Sequence, residues 1–142
     1  MKILVAVDGS KPALHAAEYA AKLLGQLAVK PSAITLMSVH DDVGLFHAKA
    51  IVGGDVVAGY LKEQSENDLS SAKDALNAAG VKYDIEMRIG HVAQEIVAYA
   101  KKGSFDLILL GAKGRSSVAD LLLGSVAHRV LAMAEMPVIL VK

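Results

Sequence analysis

Apolar residues along this chain fall into five short runs, separated by stretches with helical spacing. The first run, Ile3 to Val7, is continuous and breaks at Asp8-Gly9-Ser10. A helix is predicted next, with Ser10 as its N-cap and Pro12 in its first turn. Its apolar stripe is Leu14, Ala17, Ala21 and Leu24, and Gly25 reads as its stop. Ala33 to Val39 reads as the second strand, whereas His40 to Gly54 contains Gly44, Gly53 and Gly54, has no clean period, and is expected to be loop. A long polar helix follows from about Asp55 to Ala79, with Leu69, Ala72, Leu76 and Ala79 inward and Gly80 as its stop. Lys82 to Ile89 alternates Tyr83, Ile85, Met87 and Ile89 with Asp84, Glu86 and Arg88, which predicts one exposed face and an edge position. Val92, Ile96, Val97 and Ala100 mark a third helix, Phe105 to Leu110 a fourth strand, Val126, Val130 and Ala134 a last helix, and Pro137 to Val141 a fifth strand.

Strands alternating with helices in this way predict an α/β fold, an open five-stranded parallel sheet with helices on both faces. The 142 residues are read as a single domain, 1–142, with no linker, repeat or low-complexity tract. Hydrophobic residues make up 54% and aromatics only 4%, so the core is built from Ala, Val, Leu and Ile, as suits a parallel sheet covered on both faces. Lys and Arg together number 15, as do Asp and Glu, and a zero formal charge does not recommend nucleic acid or an anionic membrane as the main partner. Cysteine is absent, which removes thiol catalysis, disulfides and thiolate metal sites at once. The opening apolar run is too short for a signal segment or a membrane span, so a cytoplasmic protein is expected.

In open α/β sheets ligands bind beyond the carboxyl ends of strands, where strand order reverses. Two strands end in glycine turns, the first at Asp8-Gly9-Ser10 and the fourth at Gly111-Ala112-Lys113-Gly114. The latter continues to Gly124-Ser125, giving the spacing G-x2-G-x9-G-S ahead of the last helix. Glycines let main-chain N–H groups approach an anion, and a helix N-terminus adds unpaired donors and a positive dipole end. The pattern is neither the Walker loop nor the G-x-G-x-x-G dinucleotide fingerprint. Lys113 and Arg115 are loop cations able to neutralise phosphate charge, and Ser116 and Ser117 are hydroxyls within the same segment. Asp8 also suits an Asx turn at the start of the first helix. His40-Asp41-Asp42 with His47 is the nearest approach to a metal cluster, and it reads as polar loop. His128 follows Ser125 by three residues, but no G-x-S-x-G elbow supports a hydrolase.

With its Ala-Val-Asp-Gly-Ser opening, its G-x2-G-x9-G-S spacing and its Leu-Leu-Leu-Gly-Ser-Val-Ala-His-Arg-Val-Leu tail, the chain resembles the ATP-binding branch of the universal stress protein family over essentially its full length. The resemblance implies a Rossmann-like sheet of order 3-2-1-4-5. It also implies that Ala6 and Val7 line an adenine nucleotide pocket, that Asp8 contacts the ribose or a phosphate-bound cation, and that the Val39 main chain meets the adenine edge. Gly111 and Gly114 would cradle the phosphates, with Gly124, Ser125 and Val126 closing around the terminal ones. ATP with Mg²⁺ or Mn²⁺, and a homodimer paired through Val138 to Val141, are further implications. An apolar edge at the fifth strand supports the dimer independently, because native proteins seldom leave such an edge open.

Three functions are carried forward. The first is an ATP-binding regulatory protein of the stress response that hydrolyses slowly or not at all, with the 41–54 and Arg115–Leu123 segments as covers. No general base or γ-phosphate arginine stands out. The second is a true ATPase or adenylyl-transfer enzyme on the same fold. The third is a nucleotide-independent dimeric adaptor.

Overall fold

The computed structural model describes residues 1–27, 33–41, 45–115 and 123–142. Along them run β1 (Lys2–Ala6), α1 (Lys11–Gln26), β2 (Ala33–His40), α2 (Leu45–Val52) and α3 (Gly54–Ala78). These are followed by β3 (Tyr83–Ile89), α4 (Val92–Lys102), β4 (Leu107–Gly111), α5 (Ser125–Met133) and β5 (Val138–Val141). The strands form one parallel sheet in the order β3-β2-β1-β4-β5, as expected. Strand order reverses at β1, which pairs β2 on one side and β4 on the other.

Because side chains alternate across a strand, each central strand feeds two cores. Ile3, Val5, Ile34, Leu36 and Leu109 pack against the alanines of α1 and Leu69, Ala72 and Leu76 of α3. On the other face Leu4, Met37, Ile108 and Leu110 meet Ile96 and Val97 of α4 and Val130 of α5. Small residues on α1 let it lie close on the sheet, and Ser10 caps it by accepting a hydrogen bond from the Ala13 N–H at 3.3 Å.

Several expectations require correction. The buried face of α1 is Ala13, Ala16, Ala17 and Ala20, with Leu14, Ala21 and Leu24 at its margins. Gly25 does not stop this helix, which runs through Gln26 and ends where Leu27 turns extended. Part of the expected 40–54 loop is helical, α2. Its described side chains bury no apolar stripe (Ile51 is 83% exposed), so periodicity had nothing to reveal. In α3 the inward set includes Leu69, Ala72 and Leu76 but not Ala79, the exposed C-cap ahead of Gly80, whose φ of 66° is the left-handed conformation predicted for a stop. Strand β3 is an edge, yet its more exposed face is the apolar one. Ile85, Met87 and Ile89 are 40%, 38% and 45% exposed, because α3 covers the central strands and only the start of this edge, while Glu86 and Arg88 lie half-buried on the α4 side.

Candidate functional site

A cavity of about 490 Å³ opens at the carboxyl ends of β1, β2 and β4, where the strand order reverses. Ala6, Val7 and Asp8 border it from the end of β1, and Val39 from β2. Gly111, Gly114 and Arg115 border it from the end of β4 and its following turn, and Gly124, Ser125 and Val126 from the start of α5. These ten residues, all singled out from sequence, therefore border one cavity. The sequence reading missed the apolar slot formed by Met37, Val92, Ile96 and Leu110, which periodicity assigned simply to the core.

Main-chain alternation exposes Val39 to this cavity. The Met37 carbonyl accepts from the Val7 N–H at 2.8 Å, on the β1 side, and the His40 carbonyl accepts from the Gly90 N–H at 2.9 Å, on the β3 side. Val39, two residues beyond Met37, therefore directs its amide groups toward β1. Registered pairing between β1 and β2 ends at Ala6 and Met37, so these groups face the space past the end of β1. A flat heterocycle lying between the apolar side chains would meet a donor and an acceptor there.

The opposite end of the cavity is the N-terminus of α5. The Gly124 N–H donates to the Ala112 carbonyl at 2.8 Å, fastening the helix start to the turn after β4. The first helical bond is from the His128 N–H to the Gly124 carbonyl at 3.0 Å, and among the described residues no side chain caps the helix. The N–H groups of Ser125, Val126 and Ala127 thus lack intrahelical acceptors and point, with the positive dipole end, at the cavity. Such a surface accepts anions.

The glycines have structural reasons of their own. A Cβ on Gly111 would stand 2.8 Å from Pro12 Cβ and 2.9 Å from the Ala13 nitrogen, so this glycine lets α1 press on the end of β4. A Cβ on Gly114 would meet Asp8 Oδ2 at 2.8 Å. On Gly124 it would come within 3.3 Å of the Gly114 nitrogen and of Lys113 Cα. Glycine at 114 is therefore required by the Asp8 carboxylate, whatever else the turn receives.

That carboxylate links two loops. Asp8 Oδ1 accepts from the Ser10 N–H at 3.0 Å, an Asx turn, and Oδ2 accepts from the Arg115 N–H at 3.2 Å. Arg115 is held a second time, its Nη1 donating to Asp68 Oδ1 at 3.0 Å. Asp68 is only 6% exposed and also faces His40, whose Nε2 lies 3.1 Å from Oδ2 without the alignment of a hydrogen bond. Burial pushes the Asp68 carboxyl above its ordinary value of 3.8; Arg115 and His40 oppose the rise and Asp8 adds to it.

Asp68 was overlooked in the sequence because α3 is polar, though a signal existed. Leu61, Ser65, Asp68, Leu69, Ala72 and Leu76 form one inward stripe, and a carboxylate at such a position needs a partner. Beneath it β2 turns polar too, with Ser38 and His40 succeeding Ile34 and Leu36 on the same face.

Among the described residues no group of three or more His, Asp or Glu could hold a metal ion, and no helix is long and apolar enough to cross a membrane. His47 lies on α2, away from any such cluster, while Asp42, Gly44, Ser116 and Ser117 fall outside the described residues, as do 42–44 and 116–122 of the two expected covers.

The family model described as universal stress protein family matches residues 1–142. The chain belongs to that family. Universal stress protein MJ0531 of Methanocaldococcus jannaschii is 36% identical over 141 residues, covering 99% of this chain and 81% of the relative. Among solved structures, that of MJ0577, a universal stress protein of the same organism, superposes with a TM-score of 0.83 at 26% identity, covering 99% of this chain and 94% of that one. The universal stress protein from Archaeoglobus fulgidus in complex with dAMP has a TM-score of 0.69 at 23% identity, covering 100% of this chain and 98% of that one, a likeness of fold.

Proposed function

We propose that this chain is an ATP-binding universal stress protein, a nucleotide-dependent regulatory homodimer of the cytoplasm that hydrolyses ATP slowly or not at all. The observation that carries this reading is the two-ended cavity, an apolar slot beside the exposed Val39 main chain at one end and the uncapped start of α5 at the other. An adenine suits the first and a phosphate tail the second. A relative of the same fold that holds dAMP supports the nucleotide class. Two or three charge-assisted bonds to phosphate, at about 1.5–3 kcal/mol each, together with a buried base correspond to micromolar binding, about −8 kcal/mol.

Ala6 and Val7 would lie against the nucleoside, and Asp8 would face the ribose or a cation. The turn from Gly111 to Arg115 and the first residues of α5, Gly124 to Val126, would surround the phosphates. Mg²⁺ or Mn²⁺ would arrive with the triphosphate, held by phosphate oxygens and water, since the described residues offer at most the Asp8 carboxylate and no protein cage. Both Asp8 oxygens already accept main-chain N–H groups, which suits fixed positioning better than activation of water. This favours a regulatory protein over a true ATPase or adenylyl-transfer enzyme. β5 ends the sheet with a half-buried apolar edge that a second copy would pair.

The test is to denature purified protein, identify any released small molecule, and titrate the emptied protein with ATP, AMP and Mg²⁺. Released adenine nucleotide, or micromolar ATP binding, supports the reading. Protein that neither carries nor takes up any adenine nucleotide overturns it in favour of a nucleotide-independent adaptor. Rapid metal-dependent turnover abolished by Asp8→Ala favours the enzyme.

A further inference from the structure

A buried carboxylate on α3 has no part in the site as the sequence presents it, yet it grips a residue of the turn that follows β4. Arg115 is tied at both ends, its main-chain N–H to Asp8 and its guanidinium to Asp68. The two carboxylates come from opposite sides, one from the loop after β1 and one from the middle of α3. Asp68 is fixed by burial, whereas the Arg115 side chain is 53% exposed, so the helix anchors the loop and not the reverse. A long side chain on an exposed turn would otherwise sample many rotamers, and pinning one end of its planar fork removes that freedom before any ligand arrives. The close approach at Gly9, where a Cβ would lie 3.0 Å from Asp68 Oδ1, shows the same carboxylate wedged against the β1 loop as well.

We propose that Asp68 is a positioning residue for the nucleotide site: acting through the Arg115 guanidinium, it holds the turn from Ala112 to Arg115 in the shape that receives phosphate. The proposal rests on the nucleotide-binding reading above and extends it to a residue outside the cavity wall. Asp68 touches no phosphate. Its effect falls on the phosphate-dependent part of affinity and leaves recognition of the nucleoside, which belongs to Val39 and the apolar slot, unchanged. His40, which borders the cavity beside Val39, meets the other oxygen of the same carboxylate, so Arg115→Ala, which leaves that contact in place, isolates the route through the turn.

The experiment measures ATP and adenosine affinity by calorimetry for wild type, Asp68→Ala, Arg115→Ala and the double variant, with amide hydrogen exchange at residues 112–115 in the absence of ligand. The expected result is that each single variant weakens ATP about tenfold, the low end of one charge-assisted hydrogen bond, while adenosine changes less than about twofold. The double variant should bind ATP no worse than Arg115→Ala alone, because Asp68 acts on the phosphate end only through that guanidinium. Amide exchange at residue 115 should accelerate in both single variants. Equal losses for ATP and adenosine, additive effects, or unchanged exchange each overturn the proposal. If Asp68→Ala does not fold, Arg115→Ala, altered at an exposed side chain, must still show the ATP-specific loss and the faster exchange. A wild type that binds no adenine nucleotide overturns the proposed function, and the role of Asp68 in holding the turn is then decided by exchange alone.

Discussion

Asp8 occupies the space that a side chain at Gly114 would need, its Oδ2 standing 2.8 Å from where that Cβ would be. The same oxygen accepts the Arg115 N–H, so a carboxylate from the first loop is the template around which the turn after β4 is shaped. The glycine and the aspartate are a matched pair, joined across more than a hundred residues of sequence.

The first consequence concerns Gly114→Ala. With the clash against Asp8 present in the empty protein, the substitution should lower stability by about 1–3 kcal/mol, the usual range for overpacking. Introduced into an Asp8→Ala background, the same change should be milder, because its obstacle is gone. Urea denaturation of the four proteins without nucleotide measures the coupling. A Gly114→Ala protein as stable as wild type would contradict this packing.

Gly111→Ala should act through α1. The new Cβ would press on Pro12 and on the main chain at Ala13, which is backbone in the first helical turn and cannot rotate away. A loss of about 1–3 kcal/mol is expected, larger than for Gly124→Ala, whose neighbours at 3.3 Å need give by only a few tenths of an ångström. Thermal melts of the two variants give the ranking, and the reverse order would show that α1 yields more readily than its position implies.

Stability should carry a signature of Asp68 in acid. Its pKa is raised in the fold by burial, an effect that Asp8 reinforces and Arg115 and His40 oppose. The folded state therefore holds this proton more tightly than the unfolded chain, and stability from this group falls as pH rises through the interval between 3.8 and the raised value. Wild type should accordingly gain stability relative to Asp68→Asn as pH descends through that interval, and lose this advantage above it. Paired melting curves across the interval check the sign. A difference that is flat with pH, or that runs the other way, would show that the ion pairs with Arg115 and His40 outweigh burial.

The proposed pairing of two copies through β5 predicts a selective effect of proline. The Ile108 N–H bonds the Pro137 carbonyl and the Ala112 N–H bonds the Val141 carbonyl, so odd-numbered positions of β5 face β4. Val138 and Leu140 then present their amides to the open edge. Val138→Pro removes an outward N–H at the start of the strand, a place where proline is tolerated. It should yield a folded monomer at concentrations where wild type sediments as a dimer. A variant that remains dimeric would place the interface elsewhere.

The sequence by itself determined most of the elements and the α/β class, because alternation and helical spacing are local consequences of burying one face of each element. The strand order was implied only by resemblance. The apolar runs of β1, β2 and β4 and the stripe of α4 could be read without coordinates. Helix α2 could not, since its described residues bury no stripe, and neither could the outward apolar face of β3, which depends on how far α3 reaches across the sheet. Ten of the cavity residues were found through motif and resemblance, because a turn that presents main-chain N–H groups leaves a glycine spacing behind. What only the tertiary structure decided is why those glycines are there, and that Asp8, Asp68 and Arg115 meet. Residues 8, 68 and 115 lie on two loops and a helix, and Arg115 is drawn to both carboxylates through space at about 3 Å, a distance that sequence separation does not encode.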